Sequence, residues 1–398
     1  MPTGADIRSD VERLPLEGQR RLQEELLPAQ IARVRAGSPF YAERLGEGAV
    51  DTLDDLASLP FVTKAELLEA QAEAPPLGPI AGAAPEDIVR LHVTSGTTGT
   101  PLLIGFTAAD LERSTIAGAR AFRMAGVTPD LTILHCVNYA FYAGGIADHM
   151  SLEATGATVV PVGLGQSDRL LDLFPSLRPN GIFAITSYAN HLAERARAKG
   201  LDPRTLGLRT IVTGGEPGGD IPELRARIEE TWGARVVDTY GLGEVWPTLG
   251  AQCEVRDGFH LTTADLLVTE LVDPETDRVL GWEPGTTGEL VYTHLHREAS
   301  PLVRFRSRDR AAVLALECEC GRRTPRFRLL GRVDDMIVVR GVNVFPSAIE
   351  RLLAETIPTM RGFAIVLDEP VPPPPLAVVV EAGEAVPDET ARMIRERL

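Results

Sequence analysis

From residue 88 onward, short apolar runs rich in β-branched residues alternate with helical stretches, and this rhythm constrains the fold more than any other feature. The runs are VRLHV, LTILHCV, TGATVVPV, GIFAITS, RTIVTGG and ARVVDTY. Strand and helix in alternation build βαβ units, because a parallel neighbour needs a crossover long enough to hold a helix. The expected class is α/β with a mostly parallel sheet.

The rest of the chain has other textures. Before residue 88 the apolar spacing is helical, as in IRSDVERLPLEGQRRLQEELLPAQIARV, and LPFVTKAELLEAQ places a threonine cap ahead of an amphipathic helix. Beyond 250, turn-bounded runs such as TELVDPETDRVL and GELVYTHL predict a β-rich, barrel-like subdomain over about 250–330. Near 333 a third texture begins. DMIVVRGVNVFPSAIERLLAE reads as strand, turn and helix, and FAIVLDEPVPPPPLAVVVEAG as two strands joined by a proline-rich connection. The expected division is a large domain over 1–332 and a small lobe over 333–398.

A net charge of −16 argues against a general polyanion binder, so no nucleic-acid partner is expected. Ten arginines nonetheless fall between 304 and 340, either a solvated face or the footprint of a small polyphosphate. Lysine is confined to Lys64 and Lys199. The first thirty residues are charged throughout, and no apolar run reaches spanning length. Neither a signal peptide nor a membrane partner is expected. Four cysteines in 398 residues make no disulfide framework, which points to the cytoplasm.

Three of the strand-like runs end in glycine-rich loops: HVTSGTTG, TIVTGGEPGG and VVDTYGLGE. In open α/β sheets ligands sit outside the carboxyl ends of the strands, so three such loops can line one crevice. The first loop suits phosphate, since glycines expose backbone N–H groups and the serine and threonines add hydroxyl donors. It lacks the lysine of a Walker A loop, with Thr100 following Gly99, so a P-loop kinase is a poor reading.

TSGTTGTP and DTYGLGE together resemble the adenylate-forming superfamily of acyl-CoA synthetases and adenylation domains. GGEP, GELVYTHL, PLVRFRSRD and GRVDDMIVVRGVNVFPSAIE follow in the family's order, so the resemblance spans roughly 55–398. CECGR ahead of the last motif is most similar to the phenylacetate-CoA ligase branch. The resemblance implies an acetyl-CoA synthetase-like fold, with parallel sheets and helices, a β-barrel-like subdomain, and an α+β C-terminal lobe that looks incomplete.

It also implies an ATP-dependent, AMP-forming acid–thiol ligase. A carboxylate attacks the α-phosphate of ATP, pyrophosphate leaves, and coenzyme A takes the acyl group from the adenylate. On that resemblance Thr94, Ser95, Gly96, Thr97, Thr98 and Gly99 wrap the phosphates, and Gly214, Gly215, Glu216 and Pro217 form a wall for adenine. Asp238, Thr239, Tyr240 and Gly241 belong to the nucleotide loop, with the Tyr240 ring available for stacking. Glu244 holds Mg²⁺, Asp309 accepts from the ribose hydroxyls, and Arg332 reaches ribose and phosphate. Thr94, Glu244 and Arg332 are the expected catalytic residues. Asp334 matches the hinge of the small lobe, and Gly341 a position close to pantetheine.

The acid is expected to be small and aromatic. Tyr139, Phe141, Tyr142 and Tyr188 supply flat walls, with Gly144 and Gly145 leaving room for a ring; aromatic residues at such positions are as often plain core. Cys253, His260, Cys318 and Cys320 make a complete tetrahedral zinc set, although C-x₆-H and C-x-C depart from the usual spacing. Relatives in the branch share these positions, and reduced, partly buried thiols are the alternative. Cys136 reads as core.

Two features depart from the family. Thr100 stands where many relatives carry lysine. No lysine follows Lys199, so the expected bridge between carboxylate and α-phosphate is missing, by truncation or by nature. The alternatives are an adenylating enzyme with another acceptor (a carrier-protein thiol or a nitrogen nucleophile), one that activates an oxyanion such as nitrite, or a non-catalytic nucleotide binder. A homodimer is a family-level expectation.

Overall fold

The computed structural model describes residues 10–94, 101–141, 143–335, 337–339, 342–366 and 377–397. The N-terminal segment is helical. Its long helix, Leu16–Gly37, buries Leu27, Ile31 and Val34 on one face. The helix Lys64–Glu73 begins as the sequence predicts, with a capping box in which Thr63 and Glu66 satisfy each other's backbone N–H groups.

The first β-rich run departs from expectation. Strands β1 (Arg90–Val93) and β2 (Leu103–Phe106) form an antiparallel hairpin apart from the main sheet. The few residues joining them are too short for a crossover helix, so the chain can only turn back.

The other five runs behave as βαβ units. They give β3 (Thr132–His135), β4 (Thr158–Pro161), β5 (Gly181–Ala184), β6 (Thr210–Thr213) and β7 (Arg235–Tyr240), all parallel. The crossovers carry helices Ala143–Ala154, Ser167–Leu177, Thr186–Ala198 and Pro222–Trp232. Side chains on these strands alternate between two cores, as the two-residue period requires. Leu134, Ile182, Ile211 and Val236 face one core, and Ile133, Phe183, Val212 and Val237 the other. Burial on both faces explains why the runs are continuously apolar.

Strands β8 (Gly250–Ala251), β9 (Phe259–Leu261), β10 (Leu267–Val272), β11 (Val279–Leu280), β12 (Thr287–His294), β13 (Phe305–Ala315) and β14 (Arg326–Arg332) follow. They continue the same sheet. The order is β11-β10-β12-β13-β14-β9-β8-β7-β6-β5-β3-β4, and the pairing turns antiparallel at β7–β8. The β-rich segment is thus joined strand by strand to the parallel half, and a third core ties it to the N-terminal helices.

The C-terminal elements are β15 (Ile337–Val339), β16 (Val342–Val344), helix Pro346–Thr356, β17 (Met360–Val366), β18 (Ala377–Ala382) and helix Asp388–Arg397. They have their own core of Ile349, Leu352, Leu353, Ile357 and Ile394. Among the described residues no helix is long and apolar enough to cross a membrane.

Candidate active site

The carboxyl ends of β3, β5, β6 and β7 open on one crevice that holds two cavities. The inner one, about 50 Å³, is lined by Val137, Gly144, Phe183, Gly214, Gly241 and Thr248 among others. The outer one, about 420 Å³, runs past Thr94, Asn138, Phe141, Leu164 and Glu216. Val137, Ile185 and Gly215 line both, so the two meet there. At Gly241 a β-carbon would collide with the Pro247 carbonyl, and Gly215 has φ +87°, a conformation that side chains rarely adopt.

The second and third glycine-rich loops and the neck of the first, at Thr94, meet at this crevice as expected. Thr94 closes the neck of the first: its N–H donates to Leu102 O, and its Oγ1 accepts from Leu102 N–H, both at 3.0 Å. Ser95, Gly96, Thr97, Thr98 and Gly99 lie outside the described residues, as do Thr100, Tyr142 and Gly341. In the second loop Glu216 accepts from the N–H and hydroxyl of Ser187, in the first turn of helix Thr186–Ala198, where a carboxylate is favoured by the helix dipole. Pro217 beside it is exposed.

In the third loop the side chains divide. Asp238 is buried behind the crevice, accepting from Thr213 Oγ1 at 2.6 Å, and desolvation with Asp220 nearby pushes its pKa up to about 8. Thr239 faces the inner cavity and donates to the Thr213 carbonyl at 2.7 Å. The Tyr240 ring packs into the core against Phe259 and Phe327 rather than standing free. Its hydroxyl donates to Asp309 Oδ2 at 2.7 Å and contacts the Tyr292 hydroxyl at 3.1 Å.

Asp309 and Arg332 are register partners on β13 and β14. The guanidinium approaches Asp309 Oδ1 at 3.4 Å and grips both oxygens of Asp334 at 3.0 and 2.9 Å. Burial raises the Asp309 pKa to about 6, against the opposing pull of Tyr240 and Arg332. Glu244 is ion-paired with Lys64, a residue the sequence reading left without a role.

Of the expected aromatic walls among the described residues, Phe141 alone lines a cavity. Tyr139 lines neither cavity; its hydroxyl meets His149 Nδ1 at 2.9 Å, and His149 Nε2 lies 3.2 Å from Glu153. Tyr188 also lines neither, its hydroxyl turned to Ser167 at 3.2 Å. Phe141 stands at the mouth of the outer cavity, 81% exposed and with φ +61°. Gly144 lines the inner cavity, while Gly145 serves close packing, since a β-carbon there would strike the Asn138 carbonyl. Val137, Phe183 and Ile185 supply the apolar walls instead. Their signal was present, as residues of LTILHCV and GIFAITS at the open ends of strands.

Cys253, His260, Cys318 and Cys320 come together although up to 67 positions separate them, with their ligand atoms all within 4.8 Å of one another. Cys253 and Cys318 sulfurs are 3.7 Å apart, and Cys320 Sγ is 3.8 Å from His260 Nε2. Tetrahedral zinc with Zn–S bonds of about 2.3 Å places two sulfurs roughly 3.8 Å apart, so the donor set fits that ion. His260 Nδ1 faces Thr324 Oγ1 at 3.1 Å, which leaves Nε2 for the metal.

Residues 41–295 match the model of the AMP-binding enzyme family. The chain is 36% identical to the phenylacetate-coenzyme A ligase of Thermus thermophilus over 366 residues, covering 90% of this chain and 80% of that one. It is likewise 36% identical to the Pseudomonas putida phenylacetate-coenzyme A ligase, covering 85% and 76%. Among solved structures it is similar to a 2-hydroxyisobutyryl-CoA ligase in the postadenylation state with 2-HIB-AMP. That likeness has a TM-score of 0.88 at 29% identity, over 100% of this chain and 86% of that one.

Proposed function

We infer the roles of the site from one premise: the chain belongs to the AMP-binding enzymes, in their phenylacetate-coenzyme A ligase-like branch. It is an ATP-dependent, AMP-forming acid–CoA ligase, with an acid, ATP and the thiol of coenzyme A as its ligands. What remains for proposal is which residues do what, and which acid enters.

The observation that carries the assignment is the meeting of two cavities at Gly215, a small enclosed one of about 50 Å³ and a larger, more open one of about 420 Å³. The inner cavity takes the acyl group and the outer one the nucleotide, so the carboxylate and α-phosphate meet at the junction. Asp309 accepts from the ribose hydroxyls, held in place by Tyr240 and flanked by Arg332. Gly215 to Pro217 face adenine, with Gly214 on the acyl side of the junction, and the Thr94 neck leads into the phosphate loop. Glu244 is the carboxylate suited to Mg²⁺, which would offset the charge that develops as pyrophosphate leaves.

Structural zinc at Cys253, His260, Cys318 and Cys320 completes the proposal. All four positions come from protein, leaving none open for chemistry. Asp334, gripped by Arg332 at the start of the small lobe, is the pivot between lobes over 1–332 and 333–398. The place of action is the cytoplasm, as the cysteine content suggests.

Pyrophosphate release on adding ATP, magnesium and a panel of small aliphatic and aromatic acids tests the reading. Acid-dependent release, with AMP and acyl-CoA appearing only once coenzyme A is present, is the expected result. ATP consumption indifferent to acid would overturn it.

A further inference from the structure

The inner cavity has one ionisable side chain among its lining residues, Asp148. It sits on helix Ala143–Ala154, in a stretch otherwise made of glycine, alanine and isoleucine up to that point, and is only 4% exposed. Thr248, also buried and also on the cavity wall, donates its hydroxyl proton to Asp148 Oδ1 at 2.8 Å. No other hydrogen bond or ion pair reaches the Asp148 carboxyl from the described residues. The neighbouring walls, Val137, Ala143, Phe183 and Ile185, carry no side-chain polar group.

A buried carboxyl with one partner carries an unmet demand, since a buried polar group left without its hydrogen bonds has lost its water and gained nothing in return. The other hydroxyl among the described lining residues, that of Thr239, is spent on the Thr213 carbonyl. We infer that Asp148, with Thr248, is a specificity-determining pair that selects acids bearing a hydroxyl or amino group on the acyl portion. This rests on the assignment of the inner cavity to the acyl group.

The chemistry of the pair favours a donor on the ligand. Thr248 spends its proton on Asp148, so its oxygen presents lone pairs to the cavity, as does the Asp148 carboxyl once ionised. Desolvation raises the Asp148 pKa to about 8, which keeps the empty pocket uncharged near neutrality. A hydroxyl can both give and accept a proton and so suits either state of the carboxyl. An ammonium would draw the proton off and pair with the carboxylate. An acid lacking such a group leaves Asp148 unmatched, and sites built around a polar partner reject the analogue that lacks it.

The test is kcat/KM for acid-dependent pyrophosphate release across matched sets of acids: unsubstituted, hydroxy-, amino- and methoxy-substituted on one skeleton. Wild type should prefer the hydroxy or amino member by at least about tenfold over both the unsubstituted and methoxy members. Asp148→Ala should bring that ratio close to one, chiefly by improving the unsubstituted acid. If Asp148→Ala melts early, Asp148→Asn keeps an acceptor for a hydroxyl but loses the charge, and the amino member should fall relative to the hydroxy member. Wild type that uses unsubstituted acids as well as their substituted partners overturns the inference alone, as does a ratio unmoved in both variants. Wild type that releases no pyrophosphate with any acid overturns the site assignment and this inference with it.

Discussion

Lys64 Nζ lies 2.8 Å from Glu244 Oε1, tying the first turn of the helix Lys64–Glu73 to the loop after β7. The Glu244 side chain is only 12% exposed, so this pair is less screened by water than an ordinary surface one. It sets an ammonium beside the carboxylate proposed for magnesium. On that proposal a divalent ion arriving at Glu244 would compete with Lys64, and the displaced ammonium would remain close to the anions that come with it.

Lys64→Met should therefore cost little stability, no more than about 1 kcal/mol, because partly exposed pairs contribute little. It should lower adenylation at saturating magnesium by about tenfold or more, the size of losing one charge-assisted contact. Thermal melting and pyrophosphate release measured together separate the two effects. An unchanged rate would remove Lys64 from the site.

Glu244→Gln should reduce the adenylation rate far more than it weakens ATP binding, since the carboxylate acts on charge that appears as pyrophosphate departs. Nucleotide affinity from titration calorimetry, set beside single-turnover rates, decides the point. Weaker binding with an unaltered rate would count against the role.

Asp309 predicts a pH dependence. Its pKa is raised from 3.8 to about 6, so ionisation costs folding stability as pH climbs through that window, and the cost is complete above it. Ribose binding runs the other way, since the carboxylate is the stronger acceptor. ATP affinity should fall as pH drops below 6, by about tenfold one unit below the pKa. Asp309→Asn should bind ATP more weakly at pH 7.5 and lose the difference between pH 7.5 and 5. A wild-type profile matching that of the variant would show that Asp309 does not touch the nucleotide.

Protein purified without added metal should contain one zinc per chain. Cys318→Ser should reduce this to a substoichiometric level, and chelation should lower the melting temperature by several degrees or more, because metal affinity at a four-ligand site becomes folding free energy. Elemental analysis alone is enough to refute the site.

The small lobe is tethered to the parallel half. Arg227, on the helix Pro222–Trp232, donates to the carbonyls of Ala354, Ile357 and Met360, and Arg351 pairs with Asp220 at 2.5 Å. Replacing Arg227 and Arg351 together by alanine should speed limited proteolysis between 333 and 345 without altering the far-ultraviolet circular dichroism. Unchanged cleavage would mean that the lobe is held elsewhere.

What could be read from the sequence follows from how far each contact reaches along the chain. The β3 to β7 runs, the glycine-rich turns after β6 and β7 and the threonine cap at Thr63 are local patterns, and all are found in the structure. Cys253, His260, Cys318 and Cys320 were legible as a donor set because thiol and imidazole are scarce residues with few other uses. Lys64 and Glu244 were not legible as a pair, since nothing local signals a contact across 180 positions. Tyr139 and Tyr188 misled for the opposite reason: aromatic residues near a pocket motif are common, and only geometry shows which way a ring points. Asp148 was overlooked as one charge on a helix, although its apolar neighbours were the clue that it was not facing water.

Strand β7 has neighbours on both sides, β6 in parallel and β8 antiparallel, and Val236 to Tyr240 are all buried. Its amides cannot reach solvent by fraying, so their hydrogen–deuterium exchange should require opening of the whole domain. Each ligand of the native state slows such exchange by the factor 1 + [L]/Kd, wherever it binds. The backbone of Val236 and Val237, which line neither cavity, is therefore a common gauge on which nucleotide, acid and metal can be compared, each reported in the same units.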